Sequence, residues 1–304
     1  MMQHPVASTA PFPLAFGVGT LRKIVDGIKT ALEVGYRHID SAQSKPLYHL
    51  QGLLLLIFLQ KVYNNERELG VALEESGVPR SELFITSKTL NLDDPESALA
   101  NTLANLKMPY VDMQVIPFPL QSLSPTHCRA DRLLQEAWRK MEVCVDKGLA
   151  RNIGVSSFSE QHINTILETA RIQPAVDQVE MHPYLPQSHL KAYMEGKGIP
   201  MEAFGCLAPL TNPQPGLVNG IIKSLSDKYR VSESAILLKW VIQQGIRVVT
   251  TSGRKERLQS YMDELAAFDL DEKEIEGITD TSRDTHVRMF FAEEFKVIEL
   301  APSS

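Results

Sequence analysis

Short apolar runs alternate with longer amphipathic stretches eight times along this chain, which constrains the fold more than any other feature. Apolar residues in the longer stretches recur at helical spacing, as Leu134, Ala137 and Met141 do ahead of Gly148. The predicted strands are residues 14–18, 37–40, 83–88, 112–116, 152–155, 175–179, 200–204 and 247–250. The predicted helices are residues 22–34, 65–75, 95–107, 131–147, 160–170, 187–196, 232–244 and 255–265.

This order of elements predicts an α/β fold of parallel strands joined by right-handed crossovers. No shift in composition marks a linker within the 304 residues, so we expect one domain spanning residues 1–304. Eight strand–helix units in a chain of this length fit a (β/α)8 TIM barrel better than an open sheet. In such barrels the chemistry lies at the carboxyl ends of the strands, so the residues that follow each strand are the candidates for the site.

Charge and cysteine content exclude several classes of protein. The formal net charge of −6 and the pI of about 5.8 argue against a nucleic-acid partner, which normally requires a basic face. Cys128, Cys144 and Cys206 show neither a CxxC pair nor His/Cys ligand spacing, so we expect reduced thiols in a cytoplasmic protein and no metal site. The first residues lack the pattern of a signal peptide. The apolar run 53–59 is far shorter than the ~20 residues that span a bilayer, so no membrane association is expected.

Two charged residues end consecutive predicted strands. Asp40 ends the second strand and Lys88 ends the third, which predicts an ion pair on one rim of the barrel. An ammonium near a phenol lowers the pKa of the phenol from its usual value of about 10. A tyrosine such as Tyr63 could then protonate a carbonyl oxygen at neutral pH. Taken singly, each residue also has a structural interpretation: Asp40 as a helix cap, Lys88 as a surface charge, and Gln178 as a strand-end hydrogen-bonding group.

Five long motifs surround these positions. They are GYRHIDSA at 35–42, YNNE at 63–66 ahead of a helix with Gly70, FITSK at 84–88, the stretch from Met141 through GLARNIGVSSF at 148–158, and PAVDQVEMHPY at 174–184. With these motifs the chain resembles the aldo-keto reductases over nearly its full length. The resemblance implies a (β/α)8 barrel that reduces aldehydes and ketones with NAD(P)H. It also implies that Tyr63 is the general acid, that Lys88 lowers the pKa of Tyr63, and that Asp40 pairs with Lys88.

The same resemblance implies a site for a nicotinamide dinucleotide. Ser156, Ser157 and Gln178 are expected to hold the nicotinamide carboxamide, and Phe204 to stack on the nicotinamide ring. No GxGxxG sequence follows a strand, which fits a barrel that binds its dinucleotide in extended form without a Rossmann domain. NADPH is the expected cofactor, with NADH as a second possibility. The implied cofactor-binding residues are Gly19, Thr20, Asp40, Ser156, Ser157, Gln178, Phe204, Leu207, Ser252 and Arg257.

The position after the fourth strand departs from the family pattern. The family places a histidine there, which hydrogen-bonds the substrate carbonyl, whereas this chain has Pro117, which has no donor. Loss of one preorganised donor typically costs about 2.7–4 kcal/mol, a hundredfold or more in rate. His49 and His127 are candidates to replace it, although surface positions are the simpler interpretation of both.

Other departures concern the cofactor and the substrate pocket. Thr251 stands where NADP-preferring members have a lysine, so we expect less discrimination against NADH. Leu21 replaces a common tryptophan and removes one aromatic wall of the pocket. Ser157 replaces an asparagine but keeps a hydroxyl, and Phe204 replaces a tyrosine but can still stack.

Residues 45–62 separate the aspartate from the tyrosine. The family has its tyrosine five residues after the aspartate, and removal of these 18 residues restores that spacing. The run 53–59 is strongly apolar and unlike a polar surface loop. We favour the hypothesis of a translated, unspliced intron, because the codons around Ser44 and around Val62 can supply donor and acceptor sites in one phase. The alternative is a lid over the substrate mouth.

Three functions remain open from the sequence. The leading interpretation is an NADP-dependent carbonyl reductase acting on a small-molecule substrate. The alternative is a nucleotide-binding barrel of impaired activity that serves as a sensor or scaffold, which Pro117 and residues 45–62 favour. A metal-dependent or Schiff-base lyase is weaker, since no His/Asp/Glu cluster is present and Lys88 lies in a reductase motif. The sequence indicates no oligomeric state.

Overall fold

The computed structural model is a closed barrel of eight parallel strands surrounded by helices, as the sequence predicts. It describes residues 13–19, 23–41, 65–117, 127–212, 218–281, 286–290, 292 and 295, with the backbone alone at 127–129. Each strand pairs with the next along the chain, and the first strand pairs with the last to close the barrel. The strands are β1 (Leu14–Gly17), β2 (His38–Asp40), β3 (Phe84–Lys88), β4 (Val111–Ile116), β5 (Ala150–Ser156), β6 (Asp177–Glu180), β7 (Met201–Phe204) and β8 (Arg247–Thr250).

The helices cover the outside of the barrel, and the part of the chain that the structure describes contains three more than the sequence predicts. The additional ones are Ala208–Thr211 and Val218–Tyr229, between β7 and the predicted helix 232–244, and Glu272–Asp280 after the last predicted helix. No described helix is both long enough and apolar enough to cross a membrane. The helices are α1 (Ile24–Val34), α2 (Glu66–Ser76), α3 (Pro95–Leu106), α4 (His127–Asp146), α5 (Glu160–Leu167), α6 (Ser188–Lys197), α7 (Ala208–Thr211), α8 (Val218–Tyr229), α9 (Glu233–Ile242), α10 (Lys255–Ala267) and α11 (Glu272–Asp280).

Side-chain caps determine where several helices begin. The Asp94 side chain accepts a hydrogen bond from the Ser97 amide at 3.1 Å, and Pro95 occupies the first turn of α3. Asp271 and Glu274 form a reciprocal capping box at the start of α11. The D-x-x-E spacing of that box is a helix-start signal that could have predicted α11 from the sequence.

Alternation along the strands separates the barrel interior from the layer beneath the helices. His38 and Asp40 lie on one face of β2, and Ile39, on the other face, is fully buried in the large apolar layer between sheet and helices. Because polar groups occupy one side of this strand, the carboxyl half of the barrel interior holds charges rather than a continuous apolar core. A smaller apolar cluster of Phe84, Met113, Val115 and Val176 is separate from the large one.

Helix α2 packs unusually closely on α3. A Cβ at Gly70 would lie 2.6 Å from the carbonyl oxygen of Asn105, so only glycine fits there. Glu66, at the start of α2, accepts hydrogen bonds from Thr102 Oγ1 at 2.7 Å and from Asn105 Nδ2 at 3.1 Å. The first turn of α2 is therefore held firmly against α3.

An aromatic and cationic stack lies near the amino ends of the strands, far from the rim where chemistry is expected. The guanidinium groups of Arg80 and Arg151 lie 4.1 and 3.8 Å from the centre of the Tyr110 ring. Arg80 also donates to Asp112 Oδ2 at 2.6 Å, and that carboxyl accepts the Ile85 amide at 2.9 Å. These contacts join β3, β4 and β5 at the end of the barrel that stabilises the fold.

Candidate active site

Asp40 and Lys88 form an ion pair at the carboxyl ends of β2 and β3. The Lys88 ammonium donates to Asp40 Oδ1, and its Nζ also lies 3.4 Å from the Ser41 carbonyl oxygen. The two side chains are 12% and 9% exposed, so water screens the pair only partly. The contact predicted from the sequence is present, and it fixes a cation at the rim where the chain leaves β2.

Gln178 connects this pair to the opposite side of the barrel. Its amide nitrogen Nε2 donates to Asp40 Oδ2 at 2.8 Å and to Glu202 Oε2 at 2.7 Å. Gln178 lies on β6 and Glu202 on β7, and both are buried. One amide group therefore spans two carboxylates from different strands.

A second layer of polar side chains lies beneath this bridge. Glu202 Oε1 lies 3.6 Å from Arg247 Nε on β8 and 3.7 Å from His38 Nδ1 on β2. His38 Nε2 lies 2.9 Å from Thr86 Oγ1. Burial lowers the pKa of His38 to about 3, with Arg247 and Lys88 acting in the same direction and Asp40 opposing them, so His38 is neutral at physiological pH.

Sequence reasoning missed His38, Glu202 and Arg247. A signal was available, since His38 lies two residues before Asp40 and Glu202 two residues before Phe204. Side chains two residues apart on a strand share a face. The residues beneath each predicted strand-end residue could therefore have been named as its supports.

Ser156 ends β5, Ser157 follows it, and both hold the backbone of Gln178. The Ser156 hydroxyl donates to the Gln178 carbonyl oxygen at 2.7 Å, and the Ser157 amide donates to the same oxygen at 2.9 Å. Ser157 has φ 59°, a left-handed conformation that a serine adopts at some cost. Because asparagine tolerates this region better than most residues, the conformation accounts for the asparagine that the family pattern places here.

Phe204 ends β7 and packs against a segment near the end of the chain. Its ring meets Phe290 edge to face, with the ring centres 5.4 Å apart. A Cβ at Gly205, where φ is 71°, would lie 3.1 Å from the Phe290 ring, so glycine is required beside this contact. Sequence reasoning missed Phe290.

Glu180 fixes that segment to the end of β6. Its carboxylate accepts the backbone amide of Met289 at 2.6 Å and that of Phe290 at 3.0 Å. His182 Nε2 lies 2.9 Å from the same carboxylate, and the Val287 amide donates to the Tyr184 carbonyl oxygen at 3.0 Å. Residues 286–290, which we call the C-terminal strap, are thus held by main-chain hydrogen bonds.

The expected adenosine end lies between β8 and α10. Ser252 Oγ accepts the Arg254 amide at 3.1 Å, which orders the turn before α10. Arg254 and Arg257 are exposed on either side of the start of α10, whereas Lys255 pairs with Glu33 at 2.7 Å. A helix amino terminus with exposed guanidinium groups suits a phosphate.

The structure describes some of the remaining predicted site residues and not others. Gly19, after β1, and Leu207, just before α7, are both half-buried. Pro117 directly follows β4 and is half-buried. Tyr63 and Thr20 lie outside the described residues, as do His49, Leu21 and residues 45–62, and of His127 only the backbone is described.

The donors and acceptors at this rim fit a nicotinamide dinucleotide. Gln178, Ser156 and Ser157 offer groups that match a carboxamide, and Phe204 offers an aromatic face. The hydroxyl of Thr251 is buried and has no hydrogen-bond partner among the described residues, at the end where the adenosine is expected. Among the described residues, no group of three or more His, Cys, Asp or Glu side chains could hold a metal ion.

Solved structures of the same architecture place the fold in a class of oxidoreductases. An aldo-keto reductase of Bombyx mori in complex with NADP is 28% identical and superposes with a TM-score of 0.77, over 93% of this chain and 92% of that one. The aldose reductase of Schistosoma japonicum is 26% identical with a TM-score of 0.76, over 94% and 93% of the two chains. The fold and this likeness define a barrel reductase of the nicotinamide-dependent kind.

Sequence comparison makes the assignment specific. The Aldo/keto reductase family model matches residues 20–283, and this chain belongs to that family. The NAD/NADP-dependent indole-3-acetaldehyde reductase of Schizosaccharomyces pombe is 36% identical over 92% of this chain and 94% of its own length. The glyoxal reductase of Bacillus subtilis is 31% identical over 90% of both chains. The protein is therefore an NAD(P)-dependent oxidoreductase that reduces carbonyl groups, and the relatives give no support to the scaffold alternative.

Proposed function

We propose that this protein reduces an aldehyde or ketone to an alcohol with NADPH, using Tyr63 as the proton donor and Lys88 and Asp40 as its supports. The observation that carries the proposal is the Lys88–Asp40 ion pair at the carboxyl end of the barrel. The cofactor supplies the hydride when bound. Tyr63 then delivers the proton to the carbonyl oxygen as that oxygen gains negative charge.

The ends of the tyrosine-bearing segment support this role for Tyr63. The Ser41 hydroxyl donates to Asn65 Oδ1 at 3.3 Å, and the Ser41 carbonyl oxygen lies 3.4 Å from Lys88 Nζ. Tyr63 precedes Asn65 by two residues in the sequence. We therefore propose that its phenol lies beside the ammonium, which lowers the pKa of a phenol.

We expect Pro117 to lower the rate of carbonyl reduction without changing the type of reaction. It follows β4, where a donor to the substrate oxygen is expected, and proline has no N–H to offer. We propose that Tyr63 is the main donor to this oxygen. Turnover about a hundredfold below that of a matched enzyme with a histidine is then expected.

The proposed cofactor site extends from Phe204 to the start of α10. The site consists of Gly19, Thr20, Asp40, Ser156, Ser157, Gln178, Phe204, Leu207, Ser252 and Arg257. Arg257 and Arg254 support a preference for a 2′-phosphate, and Thr251 weakens it by removing one charge. The fission yeast relative is named for use of both NAD and NADP, which supports measurable activity with NADH as well.

The proposed substrate is a small carbonyl compound, and the proposed compartment is the cytoplasm. The relatives are named for indole-3-acetaldehyde and glyoxal, so one aromatic and one dicarbonyl aldehyde form the first test pair. Cys144 and Cys206 are buried free thiols, which suits a reducing compartment.

The test is cofactor binding followed by turnover. Quenching of NADPH fluorescence reports binding, and loss of absorbance with a reactive aromatic aldehyde reports reduction. We expect Tyr63→Phe to abolish turnover while leaving the affinity for NADPH nearly unchanged. Full activity of that variant would remove Tyr63 from the mechanism, and binding without turnover in the wild type would favour a sensor or scaffold.

The origin of residues 45–62 has its own test. We propose that they derive from an unspliced intron, and sequencing of cDNA clones would then show a shorter transcript that lacks them. The long transcript in every clone would support a genuine loop instead.

A further inference from the structure

We infer that Glu202 is a positioning residue for the cofactor: it fixes the Gln178 amide so that the oxygen, and not the nitrogen, faces the nicotinamide carboxamide. This inference rests on the proposed function, because it requires a dinucleotide whose carboxamide meets Gln178. Glu202 itself touches neither cofactor nor substrate in this proposal. It acts through the side chain of Gln178.

The hydrogen bonds of Gln178 determine the orientation of its amide. Nε2 carries two hydrogens, one for Asp40 Oδ2 at 2.8 Å and one for Glu202 Oε2 at 2.7 Å. Turning the amide by half a rotation would place its oxygen at these distances from two carboxylates. Three acceptors would then meet without a proton between them, which is strongly unfavourable in a buried site.

Each of the two carboxylates has its own cation. Asp40 pairs with Lys88, and Glu202 Oε1 lies 3.6 Å from Arg247 Nε. These pairings offset part of the cost of burying the two negative charges. The neutral ring of His38 adds no competing positive charge beside Glu202.

Glu202 is needed because Asp40 alone leaves the amide free to turn. Ser156 and Ser157 hold the backbone of Gln178, but those bonds leave its amide able to rotate about the last side-chain bond. That rotation has broad and roughly twofold preferences in the absence of hydrogen bonds. A single acceptor satisfies one N–H and leaves the other unpaired at a position 3% exposed. The Glu202 carboxylate accepts the second N–H and so fixes one orientation of the amide.

The fixed orientation predicts selectivity between two forms of the cofactor. An amide oxygen accepts a hydrogen bond from the NH2 of a nicotinamide, but it repels the carboxylate of the nicotinic acid analogue. With both N–H groups engaged by Asp40 and Glu202, Gln178 has none to offer that carboxylate. The wild-type protein should therefore bind NADP in preference to nicotinic acid adenine dinucleotide phosphate.

Two double variants isolate this role from that of the ion pair. Glu202→Met with Arg247→Met removes both charges and the acceptor. Glu202→Gln with Arg247→Met also removes both charges but keeps an amide oxygen that can accept from Gln178. The two proteins differ in that acceptor, so effects of the lost ion pair on folding are common to both.

The measurement is the ratio of dissociation constants for NADP and its nicotinic acid analogue, with adenosine 2′,5′-bisphosphate as a probe of the other end of the site. We expect the preference for NADP to fall about tenfold in the variant with Glu202→Met and Arg247→Met. The preference should be kept in the variant with Glu202→Gln and Arg247→Met. Affinity for the bisphosphate should stay within twofold in both. If the variant with Glu202→Met and Arg247→Met does not fold, Glu202→Asp replaces it. The shorter aspartate keeps the charge but does not reach the Gln178 amide.

Three outcomes would overturn the inference. An unchanged preference in the variant without the acceptor would show that Asp40 alone orients Gln178. An equal loss in both double variants, or a parallel loss of bisphosphate affinity, would indicate a structural role only. A wild-type protein that binds neither NADP nor NADPH would overturn the proposed function, and this inference with it.

Discussion

Ser41 and Asn65 are joined by a side-chain hydrogen bond of 3.3 Å although they lie 24 positions apart in the sequence. The two residues flank residues 42–64 in the sequence. Helix α2 is held on α3 by Glu66 and by the close approach at Gly70. Residues on both sides of this segment are therefore joined to each other, and the start of α2 is joined to α3.

Deletion of residues 45–62 should leave the barrel intact. A shorter closed loop loses less chain entropy on folding, so we expect a gain of about 1 kcal/mol in the free energy of unfolding. Urea unfolding of the two proteins measures that difference. A matched control replaces the same residues with a Gly/Ser linker of equal length, which should not reproduce the gain. Failure of the deleted protein to fold would show that the segment is part of the structure.

Breaking the ion pair at Lys88 should separate binding from chemistry. Lys88→Met leaves Asp40 without its cation but with its hydrogen bond from Gln178. We expect turnover to fall at least a hundredfold, because in the proposed mechanism the Lys88 ammonium makes the Tyr63 phenol acidic. NADPH affinity should change less than threefold, as judged by fluorescence titration. Lys147→Met, at an exposed pair with Glu96, is the control that should leave turnover unchanged.

Asp177 should make the protein less stable as the pH rises. Burial raises the pKa of Asp177 to about 8, and its Oδ2 has no hydrogen-bond partner in the part of the chain that the structure describes. Between pH 4 and pH 8 the unfolded chain carries the ionised form while the folded protein keeps the proton. Stability attributable to this residue is therefore full below pH 4 and declines by about 1.4 kcal/mol per pH unit up to about pH 8.

Asp177→Asn removes this dependence without changing the shape of the side chain. The variant should gain stability relative to the wild type as the pH rises from 5 to 8, with little further change above pH 8. Chemical denaturation at pH 5, 6.5 and 8 provides the comparison. A difference that does not vary with pH would mean that Asp177 is ionised in the folded protein.

Glu180→Gln should loosen the C-terminal strap. The carboxylate accepts two backbone amides, and a glutamine has only one oxygen to offer them. Hydrogen bonds to charged groups contribute about 1.5–3 kcal/mol, so the amides of Met289 and Phe290 should exchange with solvent at least tenfold faster. Hydrogen exchange measured by mass spectrometry tests this. Glu276→Gln, at an exposed carboxylate of α11, should leave the exchange of the strap unchanged.

The sequence predicted the barrel and the Lys88–Asp40 contact because both follow from local pattern. Apolar runs of strand length located all eight strands, and two consecutive strand ends carried opposite charges. Helix α8 was missed because Pro213, Pro215 and Gly216 before it mark a loop, and no capping signal follows them. Contacts such as Glu202 with Gln178 join strands that are distant from Asp40 in the chain, and spacing along the sequence does not reveal which side chains meet across a barrel.

The C-terminal strap is attached through its backbone amides, so the attachment does not depend on which side chains the strap carries. The Glu180 carboxylate recognises peptide groups that every residue except proline provides. Substitutions at Phe290 can then reshape the surface beside Phe204 while the attachment to β6 is retained. Variation of this one position would change the aromatic contact with Phe204 and keep the two main-chain hydrogen bonds to Glu180.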